Sequence, residues 1–233
     1  QVAEQNVPVF LYGFASTSDM RKSLSALRKG EYEGLEDRFS NSTNIHTDDT
    51  RLPDLGSKEW NEESQKSGGI TIGARDILLA YNVNIDDPDP YVAQQIGSIV
   101  RSSGRLLKSP DGSQKFRTGG LLLRVQGMGV PLESHGISQV SMNLQDYKTI
   151  NLHHAFDTID SLSKNMNSAT KGSELVGLVP LDAMLEAGRW YGGDGLTESE
   201  YIDVAVEKLG LNSISNFNPK ERIIEWAIME RES

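Results

Sequence analysis

Nine residues, Ser67-Gly68-Gly69-Ile70-Thr71-Ile72-Gly73-Ala74-Arg75, place glycines, hydroxyls and one arginine together at the entry to a strand. Glycines let backbone N–H groups approach a ligand closely, and Arg75 has the planar fork that meets a carboxylate in two hydrogen bonds. The stretch is no Walker A loop, which needs Lys-Ser or Lys-Thr after its last glycine. Nor is it the dinucleotide fingerprint, which follows a strand and opens a helix. A plain tight turn with a solvated Arg75 accounts for the same residues.

A second constellation lies in 137–144. Strand side chains alternate, so Val140, Met142 and Leu144 share one face while Gln139, Ser141 and Asn143 share the other. A row of amides and hydroxyls suits a planar heterocycle or an amino acid, and a sheet face open to water would read the same way. A third is cationic: Arg101, Arg105, Lys108, Lys115, Arg117 and Arg124 cluster around a loop with only Asp111 opposing them. It suits a polyanionic tail, or simple solvation. The histidines carry less. His46 and His135 fall in loops, and the adjacent His153-His154 lacks the i, i+4 spacing of a helical metal pair, so no metal is assigned. No G-x-S-x-G elbow occurs, and the absence of cysteine excludes thiolate chemistry.

These residues must be positioned by ordinary elements. A β-rich run at 7–12 ends at Gly13, and Met20, Leu24 and Leu27 recur at helical spacing before Gly30. Ser, Asn, Thr, Asp and Glu dominate 36–66, which reads as a long loop between two folded units. Beyond it, 77–85 alternates as a strand. Asp89 and Pro90 open a helix carrying Val92, Ile96, Ile99 and Val100, with Gly104 as its stop. Strands at 121–130 and 137–144 flank a hairpin-type connection at 131–136. A helix carrying Leu152, Phe156 and Ile159 and a strand at 175–179 complete a β-α-β-β-α-β order, the ferredoxin-like α+β sandwich. Three helices follow: 181–191; one capped by Thr197 with Glu200 and stopped by Gly210; and one opened by Asn218-Pro219 with Ile223, Ile224, Ala227 and Ile228.

Composition narrows the classes. The 233 residues, 37% hydrophobic and 24% charged, suffice for one large or two small domains with a real core. No apolar run approaches the roughly 20 residues of a membrane span. With 33 acidic against 23 basic residues, the net charge of −10 repels nucleic acid. Zero cysteines and no signal-peptide pattern point to the cytoplasm, so the sequon Asn41-Ser42-Thr43 carries no weight. The chain opens on Gln1, and 1–5 read as the tail of an interrupted helix, so upstream sequence is expected.

Eight stretches, in order, resemble one family. They are Val7 to Gly13, Arg28-Lys29-Gly30-Glu31-Tyr32-Glu33, Pro53-Asp54-Leu55-Gly56, Gly73-Ala74-Arg75, Ala80-Tyr81-Asn82-Val83-Asn84, Gln139-Val140-Ser141-Met142-Asn143-Leu144, Val176-Gly177-Leu178-Val179-Pro180 and Pro219-Lys220-Glu221-Arg222-Ile223-Ile224-Glu225. Over nearly the whole chain the sequence is similar to the glutamate formimidoyltransferases, folate-dependent enzymes of histidine degradation. The same domain forms the first part of formimidoyltransferase-cyclodeaminase.

The resemblance implies two similar α/β halves with a folate tunnel between them. Residues 1–67 would be the end of the first half with its linker loop, and 68–233 the whole second half. The implied reaction moves a formimino group from N-formimino-L-glutamate to N5 of tetrahydrofolate, releasing glutamate. Gly56, Ser57, Lys58, Ser67, Gly68, Gly69, Thr71 and Arg75 would contact folate, while Gln139, Ser141, Asn143 and Glu174 would orient substrate. The implied partners are folate, formiminoglutamate, the rest of the first half and a further copy of the chain. Neither nucleic acid nor membrane is among them. The family's general base is a histidine in a Gly-Glu-His-Pro-Arg segment. No His-Pro-Arg occurs here, so the base is expected upstream of Gln1 and no residue of this chain is assigned as catalytic. Phe14, where relatives often carry glutamate, and a longer 56–68 loop motivate an alternative: a folate-binding paralogue with 5-formyltetrahydrofolate cyclo-ligase activity or no turnover. A ferredoxin-like interaction module is the reading from another class.

Overall fold

The computed structural model describes residues 6–16, 18–40 and 52–232. The chain divides into two units, Gln1–Asp76 and Ile77–Ser233. Residues 1–5, the sequon at 41–43 and His46 lie outside the described residues.

In the first unit, β1 (Val9–Gly13) pairs in parallel with β2 (Ile70–Ala74), Phe10 opposite Thr71. The chain between them forms α1 (Leu24–Leu27), α2 (Leu35–Phe39) and α3 (Glu62–Ser67). A small core joins Phe10, Leu27 and Phe39, with Tyr12, Leu35 and Trp60 packed against it. This corrects the reading of 36–66 as one loop, because helices occupy both ends. The first delivers Phe39 to the core, its ring 5.4 Å from that of Trp60. The second is fixed by a cap with serine where a glutamate is usual. Asn61 Oδ1 accepts from the N–H groups of Glu63 and Ser64, and Ser64 Oγ accepts from Asn61 N–H at 2.7 Å.

Pro53-Asp54-Leu55-Gly56 anchors the same unit. Asp54 Oδ2 accepts from Leu11 N–H at 2.7 Å and from the guanidinium of the buried Arg21, and Leu55 bridges Val9.

The second unit is built on an antiparallel sheet whose strands lie side by side in the order 125–132, 137–144, 79–85 and 170–176. Its strands are β3 (Leu79–Ile85), β6 (Val125–Leu132), β7 (Ile137–Leu144) and β8 (Thr170–Val176). Alternation decides the faces: Leu79, Tyr81, Val83 and Ile85 are fully buried, with Val140, Met142 and Leu144 beside them. Helices α4 (Tyr91–Val100) and α5 (Leu152–Asn165) contribute Ala93, Ile96, Val100, Leu152, Ala155 and Ile159 to this core. Asp89 Oδ1 accepts from Tyr91 N–H at the start of α4, and Asn151 caps α5.

Four further sequence expectations shift. The strand read at 121–130 begins at Val125, since Leu121 and Leu122 donate their N–H groups to Ile99 and Val100. It runs through Pro131, tolerable because β6 is an edge strand. The strand read at 175–179 is Thr170–Val176. The basic loop contains a hairpin, β4 (Leu106–Lys108) with β5 (Lys115–Arg117), whose turn is closed by Ser109 and Ser113 hydrogen-bonding Asp111. After α6 (Leu181–Gly192) and α7 (Glu198–Lys208), the last expected helix breaks into α8 (Pro219–Arg222) and α9 (Ile224–Glu232). Ile223 turns extended there, as Val179 donates its N–H to Arg222 and accepts from Ile224.

Candidate functional site

Each unit carries one polar constellation of interest. In the first, the apolar side chains of Phe10, Leu27 and Leu35 are among those that line a cavity of about 340 Å³. Ser67, Gly68, Gly69 and Thr71 line it as well, together with Arg28, Glu31, Tyr32 and Arg38. Helix α3 ends on Gly68, whose N–H is committed to Ser64 O at 2.8 Å. Gly69 is required by close approach: an added Cβ would stand 2.9 Å from the Phe10 ring. Tyr32 donates its hydroxyl to Gln65 O at 2.7 Å, tying the motif 28–33 to α3. The Arg38 guanidinium lies 5.6 Å from the Phe10 ring centroid and reaches Leu27 O, while Arg28 pairs with Glu31 at 3.1 Å. The cavity thus combines two guanidinium groups, the Glu31 carboxylate paired with one of them, hydroxyls and apolar side chains, a combination suited to a ligand with both polar and aromatic parts.

Four of the eight sequence-derived folate candidates, Ser67, Gly68, Gly69 and Thr71, therefore meet at one cavity. The other four lie elsewhere. Gly56 sits at a turn with φ of +78°, where an added Cβ would lie 2.0 Å from Val7 O. Ser57 is buried and donates to Glu59 O, and Lys58 is exposed. Arg75 follows the end of β2 and is exposed.

In the second unit the core-averse face of the sheet carries a connected amide network. One cross-strand row reads Met128, Ser141, Asn82, Glu174, and the adjacent row reads Val130, Gln139, Asn84. Gln139 Nε2 donates to Asn84 Oδ1 at 2.8 Å and to Glu174 Oε2 at 3.2 Å. Asn82 Nδ2 lies 3.4 Å from both Gln139 Oε1 and Glu174 Oε2. Asn84 Nδ2 donates to Ser213 Oγ at 2.9 Å, and that hydroxyl donates to Ser173 O. Asn84 and Gln139 are buried, whereas Asn82, Ser141, Asn143 and Glu174 are half-buried. The structure brings Gln139 and Glu174 into direct contact and places Ser141 in the row of Glu174. Asn143 stands one row away, between Gln126 and Ala80.

Asn82, Asn84 and Ser213 were not among the sequence-derived candidates. The first two were legible, because Asn-Val-Asn alternates out of phase with Tyr81, Val83 and Ile85. Ser213 was not, since a loop 129 residues away from Asn84 gives no local signal.

Comparison with known proteins decides the family. Residues 80–229 match the family model of the formiminotransferase domain, and residues 1–75 that of its N-terminal subdomain. The chain belongs to the formiminotransferase family. It is 36% identical over 231 residues to the formimidoyltransferase-cyclodeaminase of Dictyostelium discoideum, covering 97% of this chain and 39% of that protein. The mouse protein of the same name is likewise 36% identical, over 230 residues, at the same coverage of each. A glutamate formimidoyltransferase of Streptococcus pyogenes serotype M1 is 30% identical over 197 residues, 82% of this chain and 57% of that one. The chain thus spans about two fifths of the bifunctional relatives it matches.

Within this formiminotransferase chain, among the described residues, no group of three or more His, Cys, Asp or Glu side chains is arranged to hold a metal ion. No described helix is long and apolar enough to cross a membrane.

Proposed function

We propose that the protein is a glutamate formimidoyltransferase. It would move the formimino group of N-formimino-L-glutamate to N5 of tetrahydrofolate, giving 5-formiminotetrahydrofolate and glutamate, as a cytoplasmic step of histidine degradation. The observation that carries this reading is the match of both subdomain families across one chain, 1–75 and 80–229. Tetrahydrofolate is a co-substrate here. We further propose that the second unit is a ferredoxin-like sandwich, supported by its β-α-β-β-α-β connectivity and the β6-β7-β3-β8 strand order.

The chemistry needs a base for the N5 proton, donors for the tetrahedral intermediate, and two ligands held in attack geometry. In the first-unit cavity, Ser67, Gly69 and Thr71, beside the Arg28–Glu31 pair and Arg38, would bind and orient folate. Glu174, Gln139, Ser141 and Asn143 supply polar orientation in the second unit. Gly56, Ser57, Lys58 and Arg75 remain proposed folate contacts on the resemblance. No His-Pro-Arg occurs within these residues, so the proposed general base comes from chain outside them.

The test is a transfer assay on the full-length protein, supplied with formiminoglutamate and tetrahydrofolate and followed by glutamate release. Release that depends on both substrates is expected. Reduced-folate binding with no release would favour a cyclo-ligase or a non-catalytic folate binder, and neither binding nor release would favour an interaction module.

A further inference from the structure

The amide network has a polarity that limits what can bind to it. A primary amide has two N–H donors, and a carboxylate has only acceptors. Both donors of Gln139 are spent, on Asn84 Oδ1 and Glu174 Oε2, and both donors of Asn82 are spent, on Gln139 Oε1 and Glu174 Oε2. Glu174 Oε2 thus receives two amide N–H groups. Among the described residues no donor is placed on Glu174 Oε1 or on Asn82 Oδ1. The direction is fixed from behind, because Asn84 is fully buried and donates its own amide to Ser213 Oγ, whose one hydrogen goes to Ser173 O. Were Asn84 to flip, its NH₂ would face the NH₂ of Gln139.

We infer that this face recognises a ligand through N–H donors attached to one amidine-type carbon, with Glu174 Oε1 and Asn82 Oδ1 as the acceptors. A carboxylate whose second oxygen is pinned by two amides is held in position, and an acceptor pair lacking donors of its own discriminates against carbonyl-bearing ligand edges. Val176, 52% exposed, stands in the row beside the pair and gives a planar group an apolar surface to lie on. The inference rests on the formimidoyltransferase reading. Under that reading two groups have this chemistry: the N3–H and 2-amino edge of the reduced pterin, and the formimino group of formiminoglutamate.

Calorimetric titration of the full-length protein with 5-formyltetrahydrofolate and with formiminoglutamate, each alone, separates the two sources. Glu174→Gln, which keeps the shape and replaces an acceptor by a donor, should weaken one ligand by about 10- to 100-fold and the other by less than about twofold. Whichever ligand is weakened identifies the edge that is read. A ligand-side probe keeps the inference testable if the variant does not fold. On the unaltered protein, a 2-desamino-2-methyl reduced folate, or N-formylglutamate in place of formiminoglutamate, should lose a comparable factor. Wild-type binding of both parent ligands, with both probes or the folded variant binding equally well, would overturn the inference. Wild-type protein that bound neither parent ligand would instead remove the transferase reading, and the inference with it.

Discussion

His153 is the residue whose surroundings most clearly oppose its charge. It lies on α5 with 2% of its surface exposed, its Nδ1 is buried with no hydrogen-bond partner among the described residues, and its ring stacks on Trp190 at 5.1 Å. Burial, with the neighbouring His154 adding to it, pushes its pKa down to about 4, against the opposing pull of Glu186 and Asp157. The ordinary value of 6.5 applies when the chain is unfolded, so protons bind the unfolded state preferentially between the two values. Stability of the second unit should therefore be full above about pH 6.5 and decline as pH falls toward 4, with His153 adding no further loss below that. Urea midpoints across that range would show it, and His153→Leu should flatten the decline; an unchanged slope would contradict the assignment. Sequence reading saw His153-His154 only as a failed metal pair, because burial and stacking on Trp190 arise from a helix packed 37 residues further on. Gln139 was readable from strand alternation alone. Its role was not, since that depends on Asn84 and Glu174 from two other strands.

At the scale of elements, the backbones of α4 and β6 come directly together at Gly97 and Gly129. An added Cβ at Gly129 would stand 2.1 Å from Gln94 N, and one at Gly97 would stand 2.7 Å from the Met128 carbonyl carbon. These contacts are with backbone, so relief requires moving the helix off the sheet. Gly129→Ala should destabilise the second unit by about 1–3 kcal/mol through overpacking. Thermal or urea unfolding checks this, and a change within about 0.5 kcal/mol, the range of neutral surface substitutions, would contradict it. Periodicity and caps located most elements: the alternation of β3 and β7, the Asn218-Pro219 start of α8, and the Thr197-Glu200 box of α7 all stand in the structure. Misreadings arose where tertiary contacts set the boundary. Phe39 and Trp60 sit in a polar stretch that composition alone labels a loop, yet they complete a core. Ile223 has helical neighbours on both sides and is pulled extended by Val179.

For the whole molecule, most of the buried apolar side chains among the described residues fall into two clusters, one in each unit. Residues 77–233 carry the complete four-stranded sheet and the larger core, and should fold when expressed alone, with a single cooperative unfolding transition. A broad, non-cooperative loss of near-ultraviolet circular dichroism would contradict that. Sequence order made the family legible because eight dispersed motifs had to agree, even though several serve the fold. Asp54 and Gly56 hold a turn beside β1, and only the structure shows that job. The central claim is group transfer, and carbon labelling tests it most directly. Full-length protein given formiminoglutamate with carbon-13 in the formimino group, and unlabelled tetrahydrofolate, should yield labelled 5-formiminotetrahydrofolate and one unlabelled glutamate per transfer by NMR. Label remaining on glutamate, or appearing as formate with no folate adduct, would contradict the account.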